Sequence, residues 1–557
     1  MMKKTSRLTL VLIIIVGFLT VSPVIMLVFG SFSEGLSAFG TFTLEKYISA
    51  YTDPDFAKII FNTIIFVVGA AVVATALAVF LAYLNNRTDI PFKFLFKIIS
   101  ITPMMIPHIL FSVSWVLLLN PSNGILNLIL KQVFSLDSSP LNIYSIWGMI
   151  FVEGLLDMPI AYLIIAPAMA SFDVNLEESS RVFGANSGQT LFRVTLPVLR
   201  PAILASFILC IVRCMASFAV PSVIGMPGRI YVLSTHIYRT ISIGFTVDYG
   251  KAAAIGMSVL ITSITLIYIY RYLTSESEKY VTISSRGYRP TVIELKKAKI
   301  PLFVILGFLM FVLIVLPVLI LIYTSLVPYS MVPSARAFSM MNLKHWTTVI
   351  HDPISLLSLK NSLFLGIFGA TLGVILSIFV AYTIVKVRTK ASGFLESLSF
   401  LSFSFPGIVI GVGFMWFFVR TPIYATILAL LIGYIATYLP YGIRPLSSAF
   451  VQIHKHLEES SMVCGAKPLT TMWRIIVPLL VPGIVSAWIL MATMFLRELT
   501  LSVVLSRPGT EVLAVQILRF ANDGLWGRLS ALGIIMIVIS TTLVTLVNLI
   551  GARFTNK

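Results

Sequence analysis

Long apolar segments alternate with short polar segments along the whole chain. A helix needs about 20 apolar residues to cross about 30 Å of hydrocarbon, because it rises about 1.5 Å per residue and satisfies its own backbone hydrogen bonds there. Twelve segments are long enough, so the pattern predicts an all-α transmembrane fold. The predicted segments, numbered as spans one to twelve, are about 8–30, 58–84, 97–119, 144–170, 199–223, 250–272, 301–326, 361–385, 397–419, 424–447, 480–505 and 528–550.

Two polar segments repeat one another at a distance of 281 residues. Each copy has an acid, two serines, a glycine and then an aliphatic residue followed by proline: Glu178, Ser179, Ser180, Gly184, Leu196 and Pro197 in the first, and Glu459, Ser460, Ser461, Gly465, Val477 and Pro478 in the second. An internal repeat without gaps indicates a repeated structural unit. The chain is therefore predicted to consist of two related halves.

Other landmarks show where the halves begin and differ. Asn62 begins span two as Asn361 begins span eight, at an offset of 299, whereas Pro159 matches Pro440 at an offset of 281. The first half therefore has 299 − 281 = 18 extra residues between spans three and four, predicted as an outer loop insertion. Six spans in each half give a parallel repeat. The predicted divisions are a first repeat over 1–272, a cytoplasmic linker over 273–300 and a second repeat over 301–557.

Composition and charge place these halves in a membrane. The chain is 58% hydrophobic and 11% charged, with a mean hydropathy of +0.98, which is outside the range of soluble domains. Lys and Arg collect in alternate polar segments, which the positive-inside rule assigns to the cytoplasm. We therefore expect a multi-pass protein of a prokaryotic inner membrane with both termini cytoplasmic. This topology and contact with anionic lipid explain the net charge of +18, so no nucleic-acid partner is implied.

The two repeated segments face the cytoplasm in this topology. A short helix along the membrane surface would turn at Gly184 or Gly465 and re-enter the bilayer at Pro197 or Pro478. An acid near the start of that helix suits its amino-terminal dipole and can meet a basic group on a partner. Two copies in the same topological position favour this interpretation over an ordinary amphipathic loop. The predicted coupling loops cover about 173–197 and about 454–478.

The repeated pattern resembles the EAA loop of the membrane subunits of ATP-binding-cassette importers, and the resemblance covers nearly the whole chain. It implies a type I importer permease fold, in which each loop forms a coupling helix that docks on an ATPase subunit. It also implies two ATPase copies, an extracytoplasmic solute-binding protein and alternating access. No cofactor is expected on this chain, and ATP and Mg would bind the partner ATPase. Serines replace the family's alanines and Val477 replaces a leucine, changes too small to prevent docking.

A nucleotide-binding motif is missing from the sequence. The phosphate-binding Gly-rich loop followed by Lys and Ser or Thr does not occur, and Gly465, Ala466 and Lys467 match only a fragment of it. Energy for transport must therefore come from another polypeptide. The chain itself is predicted not to be an enzyme.

Charged residues inside the spans form a second set of candidates. Each costs about 2.5–3.5 kcal/mol on insertion scales unless it has a partner or a wet cavity. Glu153 and Asp157 lie one turn apart in span four, at a depth similar to that of Arg213 in span five. They either form a buried ion pair or line the substrate path. Arg497 and Glu498 lie near the corresponding level of span eleven and point about 100° apart on a helix, so one of them can face the path.

The three cysteines do not suggest a disulfide framework. Cys210 and Cys214 lie at helical spacing in span five, and Cys464 lies in the second loop. A metal site at the first two would need further ligands that the sequence does not identify. Buried apolar positions are the better interpretation, and no metal site is predicted.

The substrate is the least constrained property. The segments 87–127 and 248–254 are similar to those of ferric-iron permeases, so ferric iron is the expected cargo. Related fused permeases carry thiamine, aminoethylphosphonate or polyamines, and the binding protein selects the cargo in such systems. An ion-coupled secondary transporter that uses Glu153, Asp157 and Arg213 is an alternative of a different class. It would explain the buried charges but not the two matched loops.

Overall fold

The structure is a computed structural model that describes most of the chain. The described residues are 2–34, 41–171, 175–242, 248–275, 294–295, 297 and 299–555. Most of the linker and positions 173 and 174 of the first predicted loop lie outside them. Within these ranges the regular secondary structure is helical, with an isolated bridge between Ser33 and Phe42. The predicted all-α fold is confirmed.

Nine helices in the described ranges are long and apolar enough to cross a membrane. They are Arg7–Ser31, Phe56–Arg87, Ile146–Ser171, Gly188–Ala216, Tyr249–Tyr270, Lys299–Leu326, Pro353–Val387, Ile427–Gln452 and Trp526–Leu549. Three further helix pairs qualify only when both members are counted together. Lys93–Met105 and His108–Leu119 are bent by 102°, and Lys390–Phe403 and Gly407–Phe418 are bent by 107°. The third pair, Met472–Leu479 and Val481–Leu496, is bent by 67°. If each pair is one span, the total is the predicted twelve.

The sharp bends in spans three and nine were not predicted, and both occur at a proline. Ile106 before Pro107 has a ψ of 131°, and Phe405 before Pro406 has a ψ of 127°. A proline disfavours the helical conformation of the preceding residue and lacks the N–H that a helix interior needs. The two apolar runs predicted as single spans are therefore broken at equivalent positions.

Shorter helices connect the spans. They are Glu45–Tyr51, Ile125–Phe134, Asn175–Val182, Leu233–Ser242, Ala335–Ser339, Lys344–His351, Lys455–Val463, Ser502–Leu505 and Leu513–Asn522. We name Asn175–Val182 the first loop helix and Lys455–Val463 the second loop helix.

The outer insertion of the first half contains a packed helix rather than only a loop. Asn127, near the start of the helix Ile125–Phe134, is buried, and its Nδ2 donates to the carbonyls of Leu119 at 3.0 Å and Leu141 at 2.7 Å. These hydrogen bonds tie the helix to the chain before and after it.

Contacts divide the chain into two compact units that do not follow the order of the sequence. One unit contains Met1–Asp53, Ile237–Leu260 and His345–Lys557, and the other contains Pro54–His236 and Ile261–Lys344. Span one therefore packs with spans of the second half, and span seven packs with spans of the first half. The repeat boundaries near 272 and 301 remain a prediction about the sequence and do not coincide with the units of packing.

Three closely packed spans carry the candidate residues of each half. Spans two, four and five pack on one another in one unit, and spans eight, ten and eleven do so in the other. Ala70, Ala74 and Ala78 are fully buried in span two, and a Cβ at Gly373 in span eight would collide with the Met491 side chain. Small residues let membrane helices approach closely, which brings polar side chains of neighbouring spans within reach of one another.

Candidate functional site

Both loop helices end in the same glycine turn. Gly184 and Gly465 lie two residues beyond the helix ends, and each has a φ of +85°. Their N–H groups donate to the carbonyls of Arg181 at 2.9 Å and Met462 at 3.0 Å. This left-handed conformation costs other L-residues about 1–2 kcal/mol, and it is a common way to end a helix. Glycine adopts this conformation without that cost, which accounts for its presence at both turns.

The second serine of each motif connects the loop helix to the segment that follows. Ser180 Oγ lies 3.2 Å from Thr190 Oγ1, and Ser461 Oγ lies 2.9 Å from Thr471 Oγ1. Both threonines are buried. The same hydroxyl pair thus closes the loop in both halves.

The motif prolines do not begin the membrane helices as predicted. The helix Gly188–Ala216 begins before Pro197 and continues through it. A π-helical turn over Leu191–Thr195 precedes this proline, and the wider turn accommodates a residue without an N–H. The second copy also has a π-helical turn before Pro478, but the chain then bends by 67°.

The surface of the two loop helices is also repeated. Val182 and Val463 end the helices and are strongly exposed, and the next residues, Phe183 and Cys464, are exposed as well. The motif positions also match: the exposed ones are Ser179, Gly184 and Pro197 with Ser460, Gly465 and Pro478, and the half-buried ones are Glu178, Ser180 and Leu196 with Glu459, Ser461 and Val477. Equivalent positions therefore have equivalent exposure in the two copies.

The predicted acids, Glu178 and Glu459, remain partly accessible. The Glu459 side chain is 44% exposed, with Lys455 Nζ at 3.0 Å and His456 Nδ1 at 3.1 Å from its oxygens. Hydrogen bonds from Lys455 and then His456 hold the pKa of Glu459 below its ordinary value. Its carboxylate is therefore ionised at neutral pH, and part of it can meet a partner.

The acid that precedes each predicted one has internal contacts that the sequence did not reveal. Glu177 is buried, and its Oε1 accepts a hydrogen bond from Thr195 Oγ1 at 2.7 Å. Arg87 Nε, at the last residue of span two, lies 3.5 Å from the same oxygen. Arg87 Nη2 also donates to the carbonyl of Met169 in span four at 3.0 Å. These contacts join the first loop helix to spans two and four.

Equivalent residues make the corresponding contacts in the second half. Glu458 Oε1 lies 3.4 Å from Lys386 Nζ, and Tyr382 Oη donates to Glu458 Oε2 at 3.3 Å. Lys386 Nζ donates to the carbonyl of Ile453 at 2.6 Å. Lys386 follows Arg87 by 299 residues, and Glu458 lies 281 residues after its equivalent acid, the two offsets of the repeat. The sequence does contain a signal for these contacts, because a base at the end of span two or span eight and a second acid before the motif acid recur in both halves.

Polar residues of spans four and five meet inside the first half. We name them the first mid-span cluster, which consists of Glu153, Asp157, Arg213, Cys214 and Ser217. Arg213 Nε donates to Asp157 Oδ1 at 2.8 Å, and Cys214 Sγ donates to Asp157 Oδ2 at 3.3 Å. Ser217 Oγ donates to Glu153 Oε2 at 2.8 Å. The Asp157 side chain is 1% exposed and that of Arg213 is 29% exposed, so the ion pair is buried on its acidic side.

The second mid-span cluster consists of Tyr434, Tyr438, Glu498 and Ser502. The Tyr438 hydroxyl donates to Glu498 Oε2, and the N–H of Leu501 donates to Glu498 Oε1 at 2.6 Å. The hydroxyls of Tyr434 and Ser502 lie 2.6 Å apart. A buried acid with hydrogen-bond donors on both oxygens again connects two parts of the packed bundle.

Arg497 and Glu498 do not lie on one continuous helix as predicted. The helix of span eleven ends at Leu496, short of the predicted 505, and that of span five ends at Ala216, short of 223. Arg497 Nη2 lies 3.0 Å from Met494 Sδ, whereas Glu498 is buried against Tyr438. Arg497 and Glu498 have different surroundings because the helix ends at Leu496, before both of them.

The first mid-span cluster contains possible metal-ligand atoms. A carboxylate oxygen from Glu153, one from Asp157 and the Sγ of Cys214 all lie within 4.8 Å of one another. The sequence had identified no ligands to accompany Cys214. The Arg213 guanidinium, however, already neutralises Asp157 and disfavours a cation beside it. The geometry fits a hydrogen-bonded ion pair better than a metal centre.

Relatives named for ferric transport align along almost the whole chain. The ferric transport system permease protein FbpB of Actinobacillus pleuropneumoniae is 28% identical over 542 residues, which are 96% of this chain and 76% of that protein. The Fe(3+)-transport system permease protein FbpB 2 of Haemophilus influenzae is 22% identical over 536 residues, 95% of each chain. The spermidine/putrescine transport system permease protein PotC of Escherichia coli is 24% identical over 207 residues, 37% of this chain and 78% of that protein.

Among solved structures, one chain of a bacterial alginate ABC transporter in complex with an alginate pentasaccharide-bound periplasmic protein has a TM-score of 0.33 and 19% identity. It covers 44% of this chain and 85% of its own length. The family described as "Binding-protein-dependent transport system inner membrane component" matches residues 74–277 and 373–556, once in each half and together more than half of the chain. This chain therefore belongs to that family, as a multi-pass membrane permease that is not itself an enzyme.

Proposed function

We propose that this chain is the permease subunit of an ATP-driven importer of ferric iron that works by alternating access in the inner membrane, with both termini in the cytoplasm. The observation that carries the proposal is the pair of loop helices, which present equivalent exposed surfaces in both halves. A surface that occurs twice fits a partner that is present twice.

Two copies of one ATPase subunit are that partner. Val182 and Val463 provide an apolar contact at the same position of each loop helix, and Glu178 and Glu459 provide an accessible acid. An apolar anchor beside a polar residue suits a short helix that enters a groove on another protein. ATP and Mg would bind the ATPase copies, because this chain lacks the phosphate-binding loop.

Ferric iron is the substrate that the relatives favour. The two permeases named for ferric transport align with 96% and 95% of this chain, whereas the spermidine/putrescine permease aligns with 37%. A polyamine is the second candidate because of that partial similarity. An extracytoplasmic binding protein would deliver the cargo and select between the two.

The Arg213–Asp157 ion pair supports the packing of spans four and five rather than binding the cargo. Asp157 is almost fully buried, and each of its carboxylate oxygens already accepts a hydrogen bond. A cargo ligand would have to displace those donors first. Glu153 has the same character, because Ser217 donates to it.

A native cysteine provides the test of ATPase docking. Cys464 is exposed beside the glycine turn of the second loop helix, whereas Cys210 and Cys214 are buried. A maleimide should label Cys464 in the isolated chain and should fail to label it in the complex with the ATPase. Removing the ATPase should restore labelling, and Cys464→Ser serves as the unlabelled control. Equal labelling in both states would contradict docking at this loop.

The substrate is tested with the complex in lipid vesicles. ATP hydrolysis should rise when the binding protein is added with a ferric complex, and labelled iron should enter the lumen. Stimulation by a polyamine-loaded binding protein instead would favour the second candidate. Uptake that follows an ion gradient without any ATPase would replace the importer by a secondary transporter.

A further inference from the structure

We propose that Glu177 and Glu458, which we name the anchoring acids, are positioning residues that fasten each loop helix to the last turn of span two or span eight. The role rests on the proposed function, because the attachment transmits movement only if an ATPase displaces the loop helices. These acids differ from Glu178 and Glu459 of the repeated motif, which remain accessible to a partner.

Burial separates the anchoring acids from the docking surface. The side chains of Glu177 and Glu458 are 3% and 12% exposed, whereas that of Glu459 is 44% exposed. A docking protein cannot reach a carboxylate that the chain itself covers. The anchoring acids therefore act inside the permease, and their neighbours in sequence face outward.

Each anchoring acid meets a base that also holds the end of another span. Arg87 contacts Glu177 and the carbonyl of Met169, which lies in the last turn of span four. Lys386 contacts Glu458 and the carbonyl of Ile453, which directly follows span ten. The last carbonyls of a helix lack partners within it and favour a cation. The base and the acid thus fix the loop helix against two span ends at once.

The ion pair adds a connection that the covalent chain does not provide. Each loop helix lies in sequence between spans four and five, or between spans ten and eleven. Span two or span eight is joined to it through the anchoring acid. A displacement of the loop helix is therefore passed to three packed spans in each half instead of two.

The two halves make this connection with different side chains. Arg87 in the first half corresponds to Lys386 in the second. Thr195 donates the second hydrogen bond in the first half, but its equivalent is Ile476, and Tyr382 donates in its place. The attachment is kept although its donors differ, so the connection itself is the shared feature.

The test compares one double variant with one single control variant, each in the complex reconstituted with its ATPase. Glu177→Gln with Glu458→Gln removes both anchoring charges and keeps the side-chain size. Asp89→Asn is the matched control, because Asp89 lies two residues from Arg87 but pairs with Lys299 at 2.9 Å. The measured quantity is cargo transported per ATP hydrolysed, together with ATPase co-purification and the amount of monodisperse complex.

The double variant should still bind the ATPase and hydrolyse ATP, but transport per ATP should fall at least about tenfold, because a buried base without its acid no longer holds the loop helix. Asp89→Asn should transport as the wild type does. A purely structural role would lower the amount of folded complex and reduce hydrolysis and transport together. The ratio of the two would then stay constant, which would overturn the proposal.

A charge exchange provides a second measurement in case the double variant folds poorly. Lys386→Glu with Glu458→Lys should recover part of the transport per ATP lost in either single variant. Absence of any recovery in the charge-exchange variant would overturn the ion-pair role. In the first experiment, loss of the ATPase from a folded Glu177→Gln, Glu458→Gln complex would show these acids to be docking contacts and would also overturn the proposal. A wild-type complex without binding-protein-stimulated hydrolysis would instead overturn the proposed function.

Discussion

The loop segments match closely between the two halves of the chain, whereas the mid-span clusters differ. Gly184 and Gly465 have the same φ, and Ser180 and Ser461 each contact the threonine ten residues later. The mid-span clusters share three equivalent positions, but these positions carry different side chains. The halves thus share a loop surface without sharing the polar chemistry of their spans.

The exchange moves the carboxylate from one span to the next. Glu153 and Asp157 in span four correspond to Tyr434 and Tyr438, and Ser217 after span five corresponds to Glu498. In the first half Ser217 donates to Glu153, so the acid belongs to span four. In the second half Tyr438 donates to Glu498, so the acid follows span eleven. Both halves keep a hydrogen bond from a hydroxyl to a buried carboxylate.

This difference follows from what each region contacts under the proposed function. Two copies of the same ATPase require the same docking surface twice, which keeps the loops alike. The spans need only remain attached to one another in a low-dielectric environment, where an unpaired polar group is costly. A carboxylate–hydroxyl pair meets that need with the acid on either side.

Removing both glycine turns should have the largest effect. In Gly184→Arg with Gly465→Arg, each arginine is forced into the left-handed region at about 1–2 kcal/mol and adds a charge beside the docking surface. ATPase co-purification and uptake should both be lost. Gly393→Arg is the control, because that glycine also has open space around it but no positive φ. Each single turn variant should cause a similar loss, and an effect confined to one copy would break the equivalence of the loops.

Removing the base of the first mid-span cluster should destabilise the fold. Arg213→Leu leaves Asp157 buried without its ion-pair partner, which costs about 3 kcal/mol and should appear as a lower unfolding temperature in detergent. Arg213→Leu with Asp157→Leu should recover most of that stability. A stable double variant that no longer transports would show that the pair lines the substrate path instead.

Removing one hydroxyl in each half tests whether the exchanged pairs are equivalent. Ser217→Ala takes the donor from Glu153, and Tyr438→Phe takes the donor from Glu498. Each change should lower the free energy of unfolding by about 1–3 kcal/mol, because a buried acceptor loses its partner. Denaturation in detergent would measure both. A loss in one half only would mean that the pairs are not equivalent.

The smallest effect should come from Lys455→Gln, which removes the ion pair of Lys455 with Glu459 in the second loop helix. Lys455 lowers the pKa of Glu459, so the carboxylate stays ionised above that lowered value and loses its charge as pH falls through it. Without Lys455 the charge should be lost at a higher pH. ATPase association should therefore be unchanged at neutral pH and should fall earlier on acidification. An identical pH profile would mean that this carboxylate does not take part in docking.

Local features of the sequence were sufficient for the membrane class and the loops. Apolar length predicted the number of spans, and the repeat located both glycine turns, because each property depends on neighbouring residues. The bends at Pro107 and Pro406 were not predicted, although the geometry of the proline ring gives a local reason for them. The early ends of spans five and eleven also went unrecognised, since the apolar composition continues past them.

The sequence by itself determined that this protein is a helical membrane protein with two matched polar motifs, because burial in lipid imposes a length and a composition on each span. Only the tertiary structure decided which side chains meet. Arg87 reaches Glu177, and Asp157 is paired with Arg213, because helices distant in the chain pack side by side. Span one packs with the second half and span seven with the first for the same reason, since hydrophobicity specifies that a helix is buried in the membrane and not which helices surround it.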